Sequence, residues 1–221
     1  MSEVLRVQST PLAALNSLAV LTSSARDCGS RVAPCLPVKE AYPLADGQDY
    51  AHKTASLRLG GVGVSVGLGS SFFFEVDNHE VVTLLLSSGG RARVELDGAV
   101  YGNSPQQPGL FLPGEAYRCE LADANGLVVT ARPERLAAMA LVMAEEVDAP
   151  TLDLAVLQQP LELGPLCGRS AHLLDLLRRT LSLLDGLQAT ARWPAQSQGL
   201  EDLLCRLIAG LLFPSLVRPG R

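Results

Sequence analysis

Apolar residues recur at every second position over the middle of the chain, between residues 55 and 130. Val62, Val64 and Val66, for example, alternate with glycine and serine. Because successive side chains of a strand point to opposite faces, this repeat predicts strands with one buried face. Asp97-Gly98 lies directly between two such runs and predicts a tight hairpin. Roughly eight short strands are expected here, a number and spacing typical of an antiparallel sandwich or barrel.

Two stretches of this region depart from simple alternation. Residues 81–86 are apolar apart from Thr83, which predicts a strand covered on both faces. Gly60, Gly61 and Gly63 resemble a phosphate-binding loop, but such a loop is followed directly by a helix. Since these glycines lie within a strand pattern, we interpret them as a bulge or as the close approach of another backbone segment.

After Ala131 the apolar residues follow a helical repeat. Pro133 suits the first turn of a helix that is expected to run to about Ala144. Residues 170–188 and residues 200–213 each carry a wide stripe of leucines. Two such helices with a short connection predict an antiparallel helical hairpin. The stripes are wider than one packing partner requires, so a second copy of the chain is expected to cover part of them.

The first fifty residues give a weaker signal. Residues 11–24 predict a short helix that begins at Pro11, and three later prolines predict irregular chain. The apolar positions are interrupted by polar ones, unlike those of a secretory signal. No run approaches the roughly eighteen apolar residues of a membrane span, so a soluble protein is expected.

Composition narrows the functional classes. The formal net charge is −5 at pH 7 and the isoelectric point is about 5.2, whereas a nucleic-acid surface needs clustered cations. The five cysteines form no Cys-x-x-Cys pair, which indicates reduced thiols and a cytoplasmic location.

In the order of these elements, the chain resembles the effector-binding half of AraC/XylS-type transcription regulators of bacteria. The resemblance is carried by the Pro-Gly strand turn within residues 107–114, by Leu161-Glu162-Leu163, by the leucine-rich helix 170–188, and by residues 199–204 and 211–216. It covers roughly residues 40 to 217 and rests on the order of the elements and on their residue patterns.

The resemblance implies an α+β fold in which a cupin-like jelly-roll β-barrel is followed by the antiparallel α-helical hairpin. It divides the chain into an N-terminal helix and irregular arm (1–40), an effector-binding barrel (41–132) and a helical dimerisation region (133–217). It also implies a small-molecule effector in the barrel and a homodimer formed through the helices.

In that family a DNA-binding domain would begin near Arg221, where this sequence stops. We therefore expect no direct contact with nucleic acid, and none with a membrane, through these residues. The expectation is either an excised sensor domain or a protein without the DNA-binding half.

The candidate sites follow from strand alternation and from the leucine stripes. Six side chains are expected on the inner face of the barrel, where they would line the effector pocket: Phe72, Phe74, Leu84, Leu86, Val94 and Tyr117. Arg58 and His79 are polar side chains that could orient an anionic or polar effector, but the default expectation is a surface arginine and a solvated histidine in a turn. Seven leucines are expected in the dimer interface: Leu173, Leu177, Leu181, Leu184, Leu204, Leu207 and Leu211.

Catalysis has little support in the sequence. His52, His79 and His172 stand apart from one another, whereas a metal centre needs about three grouped ligands. Cys119 has no histidine near it in the sequence to activate it. We therefore expect no metal, no cofactor and no enzymatic activity. Two alternatives stay open: a cupin-type metal-dependent enzyme, and a stand-alone partner that forms heterodimers with full-length regulators.

Overall fold

The computed structural model describes residues 3–45, 50–78, 80–147, 152–188 and 197–217. Within them the strands are β1 (Val20–Thr22), β2 (Val38–Pro43), β3 (His52–Leu59), β4 (Val62–Gly69), β5 (Phe72–Val76), β6 (Val82–Leu96), β7 (Ala99–Asn103), β8 (Gly109–Leu112), β9 (Tyr117–Ala131) and β10 (Leu161–Leu163). The helices are α1 (Glu3–Ser9), α2 (Ala25–Val32), α3 (Pro133–Val147), α4 (Arg169–Gln188) and α5 (Ser197–Leu212), with short 3-10 turns at Asn16–Leu18, Leu154–Gln158 and Pro214–Leu216.

The strands form a single antiparallel sheet with two parts that share its longest strands. One part follows the order β1-β3-β4-β9-β6-β8-β10. In the other part β2 pairs with β5, β5 with the first half of β9, and β7 with the second half of β6. The strands β6 and β9 pair along almost their whole length and so run through both parts.

The shared strands bend at irregularities in their register between Ser87 and Arg91. Gly90 has a φ of +66°, and a Cβ at this position would lie 2.3 Å from the carbonyl oxygen of Asp123, which itself has a φ of +49°. Bulges of this kind bend a strand without ending it. The sequence predicted only short strands in this region, whereas β6 and β9 are each one bent strand of 15 residues.

Side chains pack on both faces of the first part of the sheet. On one face, a cluster that we call the helix core joins the sheet to α3, α4 and α5; it includes Leu57, Val64 and Leu84. The other cluster, the inner core, joins the two parts of the sheet, since it holds Phe72 and Phe74 of β5 together with residues of β6, β8 and β9. The two parts therefore face each other across the inner core, as the layers of a sandwich do.

The prediction of a closed barrel is wrong. Among the described residues, the order of pairing ends at β1 on one side and at β10 on the other. Each of these strands has only three residues, and β1 pairs with β3 while β10 pairs with β8. The bent strands β6 and β9, rather than closure, bring the two parts together.

The Asp97-Gly98 hairpin is confirmed, with Leu96 paired to Ala99 and positive φ angles of 48° and 74° at the two turn residues. The helix at Pro133 is confirmed and extends to Val147.

The predicted helix at residues 11–24 is wrong: this stretch holds a 3-10 turn, the strand β1 and the residue that caps α2. The helix α2 was not predicted; the Ser24 side chain caps it by accepting a hydrogen bond from the backbone N–H of Asp27.

The helix α5 contacts both α3 and α4 and also touches β3 and β4. Arg206 of α5 forms a two-point ion pair with Glu146 of α3, with both N–O distances 2.8 Å. The antiparallel pairing of α4 with α5 stays a prediction, because the segment that joins them lies outside the described residues. None of the described helices is long and apolar enough to cross a membrane.

The leucines expected in a dimer interface belong to the packing of the chain on itself. Six of them are buried in the helix core, and Leu173 is partly buried against it: Leu177, Leu181, Leu184, Leu204, Leu207 and Leu211. The stripe on α5 is wide because this helix is covered by α3, α4 and the sheet. A dimer contact in the helical region therefore has to use other side chains.

Candidate functional site

Two adjoining cavities lie between the two parts of the sheet, and together we call them the interior cavity. Their volumes are about 80 and 70 Å³, and they share the lining residues His52, Gly67, Phe74, Leu121 and Val128. The first is also lined by Leu85 and Asn125 and reaches the bend of β6 and β9; the second reaches α2 through Cys28 and Leu36. Most of the lining is apolar, as in small-molecule sites generally.

The strand β4 leaves room for this cavity because its inward positions carry small residues. Val62, Val64, Val66 and Leu68 of β4 belong to the helix core, so Gly63, Ser65, Gly67 and Gly69 face the other way. At Gly63 a Cβ would lie 2.9 Å from the Cβ and 3.1 Å from the Cα of Cys35. The close backbone approach expected from the glycine pattern is therefore present at Gly63.

His52 fills the space beside the other two inward glycines. A Cβ at Gly67 would lie 2.8 Å from His52 Nε2, and one at Gly69 would lie 2.8 Å from His52 Nδ1. The imidazole is 3% exposed, and its Nδ1 has no hydrogen-bond partner among the described residues. Burial disfavours the charged ring and lowers the pKa of His52 to about 4. The backbone of Ser70 raises the pKa by a smaller amount. The ring is therefore neutral at pH 7.

Asn125 supplies a second polar atom to the cavity. Its Oδ1 is buried and has no hydrogen-bond partner in the described part of the chain. Two other polar side chains of the lining are already engaged: Asn103 donates to the carbonyl of Gln107 at 3.2 Å, and Ser87 donates to that of Gly89 at 3.3 Å. An unpaired buried polar atom costs free energy, which a ligand that pairs with it recovers.

A row of aromatic rings extends from the cavity through the inner core. The His52 ring meets Phe72 edge-on at 4.9 Å between centroids, and Phe72 lies 5.6 Å from Phe74. Tyr50 and Tyr117 stand at the two ends of the row, 6.2 Å from His52 and 6.4 Å from Phe74. Contacts of this kind fix the rings that form one wall of the cavity.

Three of the six side chains expected in the effector pocket line the interior cavity, and three do not. Phe72, Phe74, Val94 and Tyr117 lie in the inner core, and of these Phe72 and Phe74 line the interior cavity. Leu86 lines the cavity near the bend, although it packs in the helix core. Leu84 faces the helices, so its expected position is wrong. Residues 81–86 are apolar apart from Thr83, so alternation does not show which of them point inward; Leu85 does.

Sequence reasoning missed His52, Asn125 and Val128 as lining residues. Gly67 and Gly69 gave a usable signal, because glycine at alternate positions of a strand marks a face with room for another group. No comparable signal marked Asn125, which lies at the bend of β9. Its partner across the strand pair is Gly89, at the register irregularity of β6.

Arg58, one of the two polar side chains considered for orienting an effector, does not line the cavity. Arg58 is exposed, and its guanidinium donates to the backbone carbonyls of Pro34 and Gly60. His79 lies outside the described residues. Within the described ranges, no three His, Cys, Asp or Glu side chains are grouped closely enough to hold a metal ion.

No protein-family model matches the sequence, and no curated protein matches it either. Solved structures do match. The AraC-like transcriptional activator CuxR aligns with a TM-score of 0.53 and 18% identity, over 92% of this chain and 72% of that one. The alignment spans nearly the whole chain.

Partial similarities cover less of the chain. The EutQ protein of Clostridium difficile aligns with a TM-score of 0.32 and 15% identity, over 38% of this chain and 64% of that one. The cupin domain of Schizosaccharomyces pombe Cnp3 aligns with a TM-score of 0.31 and 12% identity, over 46% of this chain and 74% of that one. The alignment with CuxR, and not these partial ones, shows that the protein shares the fold of an AraC-like activator.

Proposed function

We propose that this chain is the ligand-sensing module of an AraC-like transcription regulator, and that it binds a small molecule in the interior cavity without transforming it. The observation that carries the proposal is an apolar cavity lined by His52 and Asn125, each of which has one buried polar atom, Nδ1 and Oδ1, without a hydrogen-bond partner among the described residues. The fold shared with an AraC-like activator supports the regulatory role.

A screen of small metabolites by thermal denaturation tests this proposal. Gly67→Ala places a methyl group in the cavity next to His52, whereas the matched variant Gly102→Ala adds the same group where no atom lies within 4 Å. We expect at least one compound to raise the Tm of the wild type and of Gly102→Ala, and to have little effect on Gly67→Ala.

Two outcomes contradict the proposal. One is that no compound raises the Tm of the wild type. The other is that the active compounds stabilise Gly67→Ala equally, because they then bind elsewhere. If Gly67→Ala does not fold, Val128→Phe replaces it, since Val128 lines both parts of the cavity from β9.

The proposal includes a homodimer. Leu176 and Leu183 lie seven residues apart on α4, so they share one face of the helix. They are 36% and 71% exposed. Such side chains are favourable contacts for a second copy of the same helix, because a two-fold interface pairs a surface with itself.

Sedimentation tests the dimer directly. Leu183→Glu is expected to convert a dimer into a monomer, and Val100→Glu is the control, since Val100 is 53% exposed on the strand β7 rather than on α4. A wild type that sediments as a monomer at all concentrations, or a Leu183→Glu variant that stays dimeric, contradicts this interface.

The absence of catalysis is part of the same proposal. Elemental analysis of the purified protein checks it, since a cupin-type enzyme would carry iron, nickel, manganese or zinc in stoichiometric amount. A stoichiometric metal would contradict the proposed sensing role and would favour a metal-dependent activity.

A further inference from the structure

We infer that the ligand of the interior cavity is an uncharged molecule about the size of one aromatic ring that carries a hydroxyl group. This inference rests on the proposed function and adds the chemistry of the ligand to it.

The size follows from the volume. The two adjoining cavities, of about 80 and 70 Å³, are together comparable to a cavity of about 150 Å³ that binds benzene in another protein. Phe72 and Phe74 form part of the wall and offer edges and faces to a flat ring. A nucleotide or an extended chain is larger than this space.

The charge follows from the lining. Among its residues Arg91 is the one with a permanent charge, and it is exposed to water at the bend of β6. The buried imidazole of His52 is neutral at pH 7, and no carboxylate or lysine lines the cavity. Arg91 is exposed, so a charged group among the buried apolar side chains, such as Phe74 and Leu85, would lose its hydration without a partner of opposite charge beside it, which is strongly unfavourable.

The hydroxyl group follows from the two unpartnered atoms. The Oδ1 atom of an asparagine accepts a hydrogen bond, and a neutral imidazole nitrogen either donates or accepts one. A hydroxyl group both donates and accepts, so it can pair with either side chain. A purely apolar ring fills the space and leaves both atoms unpaired.

Titrations with three probes test the inference: benzene, phenol and benzoate, followed by the chemical shifts of the protein backbone amides. Phenol is expected to bind at least about fivefold more tightly than benzene, since one hydrogen bond to a buried group contributes about that factor. Benzoate, which has a similar ring and a negative charge, is expected not to bind in the cavity.

The variant Asn125→Leu separates the polar contact from the space. It removes the unpaired amide and keeps a similar volume, so the free protein is expected to be as stable as the wild type. The preference for phenol over benzene is expected to fall to less than about twofold if Asn125 accepts the hydroxyl hydrogen bond. If the preference persists in Asn125→Leu, it is expected to disappear in His52→Leu.

The outcomes distinguish this inference from the proposed function. Tighter binding of benzoate than of phenol, or a preference for phenol that survives both variants, overturns the inference. If phenol does not bind but a larger or charged metabolite stabilises the wild type and not Gly67→Ala, the inference is wrong and the sensing role stands. If neither phenol nor any metabolite binds, both are wrong.

Discussion

The imidazole of His52 occupies the space that a side chain at Gly67 would fill, with Nε2 only 2.8 Å from the position of a Cβ there. A strand with glycine on its inward face thus holds a buried titratable ring from the neighbouring strand. The first prediction concerns the pH dependence that this ring imposes on stability.

Stability is expected to fall as the pH drops from 6.5 towards 4, through His52. Its folded pKa of about 4 lies below the ordinary value of 6.5, so in this window the unfolded chain binds a proton that the folded protein does not. Through this group, the unfolding free energy is expected to be roughly 3 kcal/mol lower at pH 4 than at pH 7. Urea unfolding at pH 7 and at pH 4.5 measures it.

His52→Leu is expected to remove most of this dependence, because leucine has no proton to bind. His172→Gln is the control, since His172 is exposed on α4. Equal pH dependence in the wild type and in His52→Leu would show that the imidazole is not buried in its neutral form.

The bend shared by β6 and β9 is expected to require glycine at position 90. An alanine there would keep a φ of +66° and place its Cβ 2.3 Å from the carbonyl oxygen of Asp123. Left-handed backbone and this contact together are expected to cost at least about 2 kcal/mol of unfolding free energy. Gly102→Ala, on the same hairpin but in open space, is expected to change it by less than about 0.5 kcal/mol.

Two neighbouring leucines of α4 are expected to differ sharply. Leu184 is fully buried in the helix core, whereas Leu183 is 71% exposed. Leu184→Ala is expected to lower the unfolding free energy by about 2–5 kcal/mol, and Leu183→Ala by less than about 0.5 kcal/mol within one protomer. Unfolding at low protein concentration compares them. Similar values for the two would mean that the rotation of α4 about its axis is different from the one described.

Cysteine reactivity is expected to follow burial. Cys167 is exposed, whereas the other four cysteines are buried. Burial raises the pKa of Cys28 to about 12 and that of Cys205 to about 11, and thiols that stay protonated react slowly. Brief treatment with iodoacetamide at pH 8, followed by mass spectrometry, is expected to modify Cys167 alone. Rapid labelling of Cys28 would show that α2 opens easily from the sheet.

Local signals in the sequence identified the strand region and the helices at Pro133 and at residues 170–188 and 200–213. Each of these depends on neighbouring residues, as the Asp97-Gly98 turn does. The sequence was ambiguous where the answer depends on distant parts of the chain. Leu84 and Leu85 are chemically identical, and only the position of the helices decides which one faces the cavity.

The leucines of α5 illustrate the same limit. Their number is explained equally well by a second protomer and by three partners within the chain. The structure shows the second case for Leu204, Leu207 and Leu211. The lining of the cavity was the hardest part to predict, because His52 and Asn125 meet there through a bend that the sequence pattern showed as a break between strands.

Neighbouring side chains of β6 lie on opposite faces of the sheet: Leu85 borders the cavity, and Leu84 packs in the helix core. Their backbone atoms are joined by a single peptide unit, which is rigid. A guest that shifts the β6 backbone at Leu85 therefore also shifts Leu84 in the helix core. Because the helix core also includes residues of α3, α4 and α5, this strand is the direct route by which the proposed ligand would affect the helices.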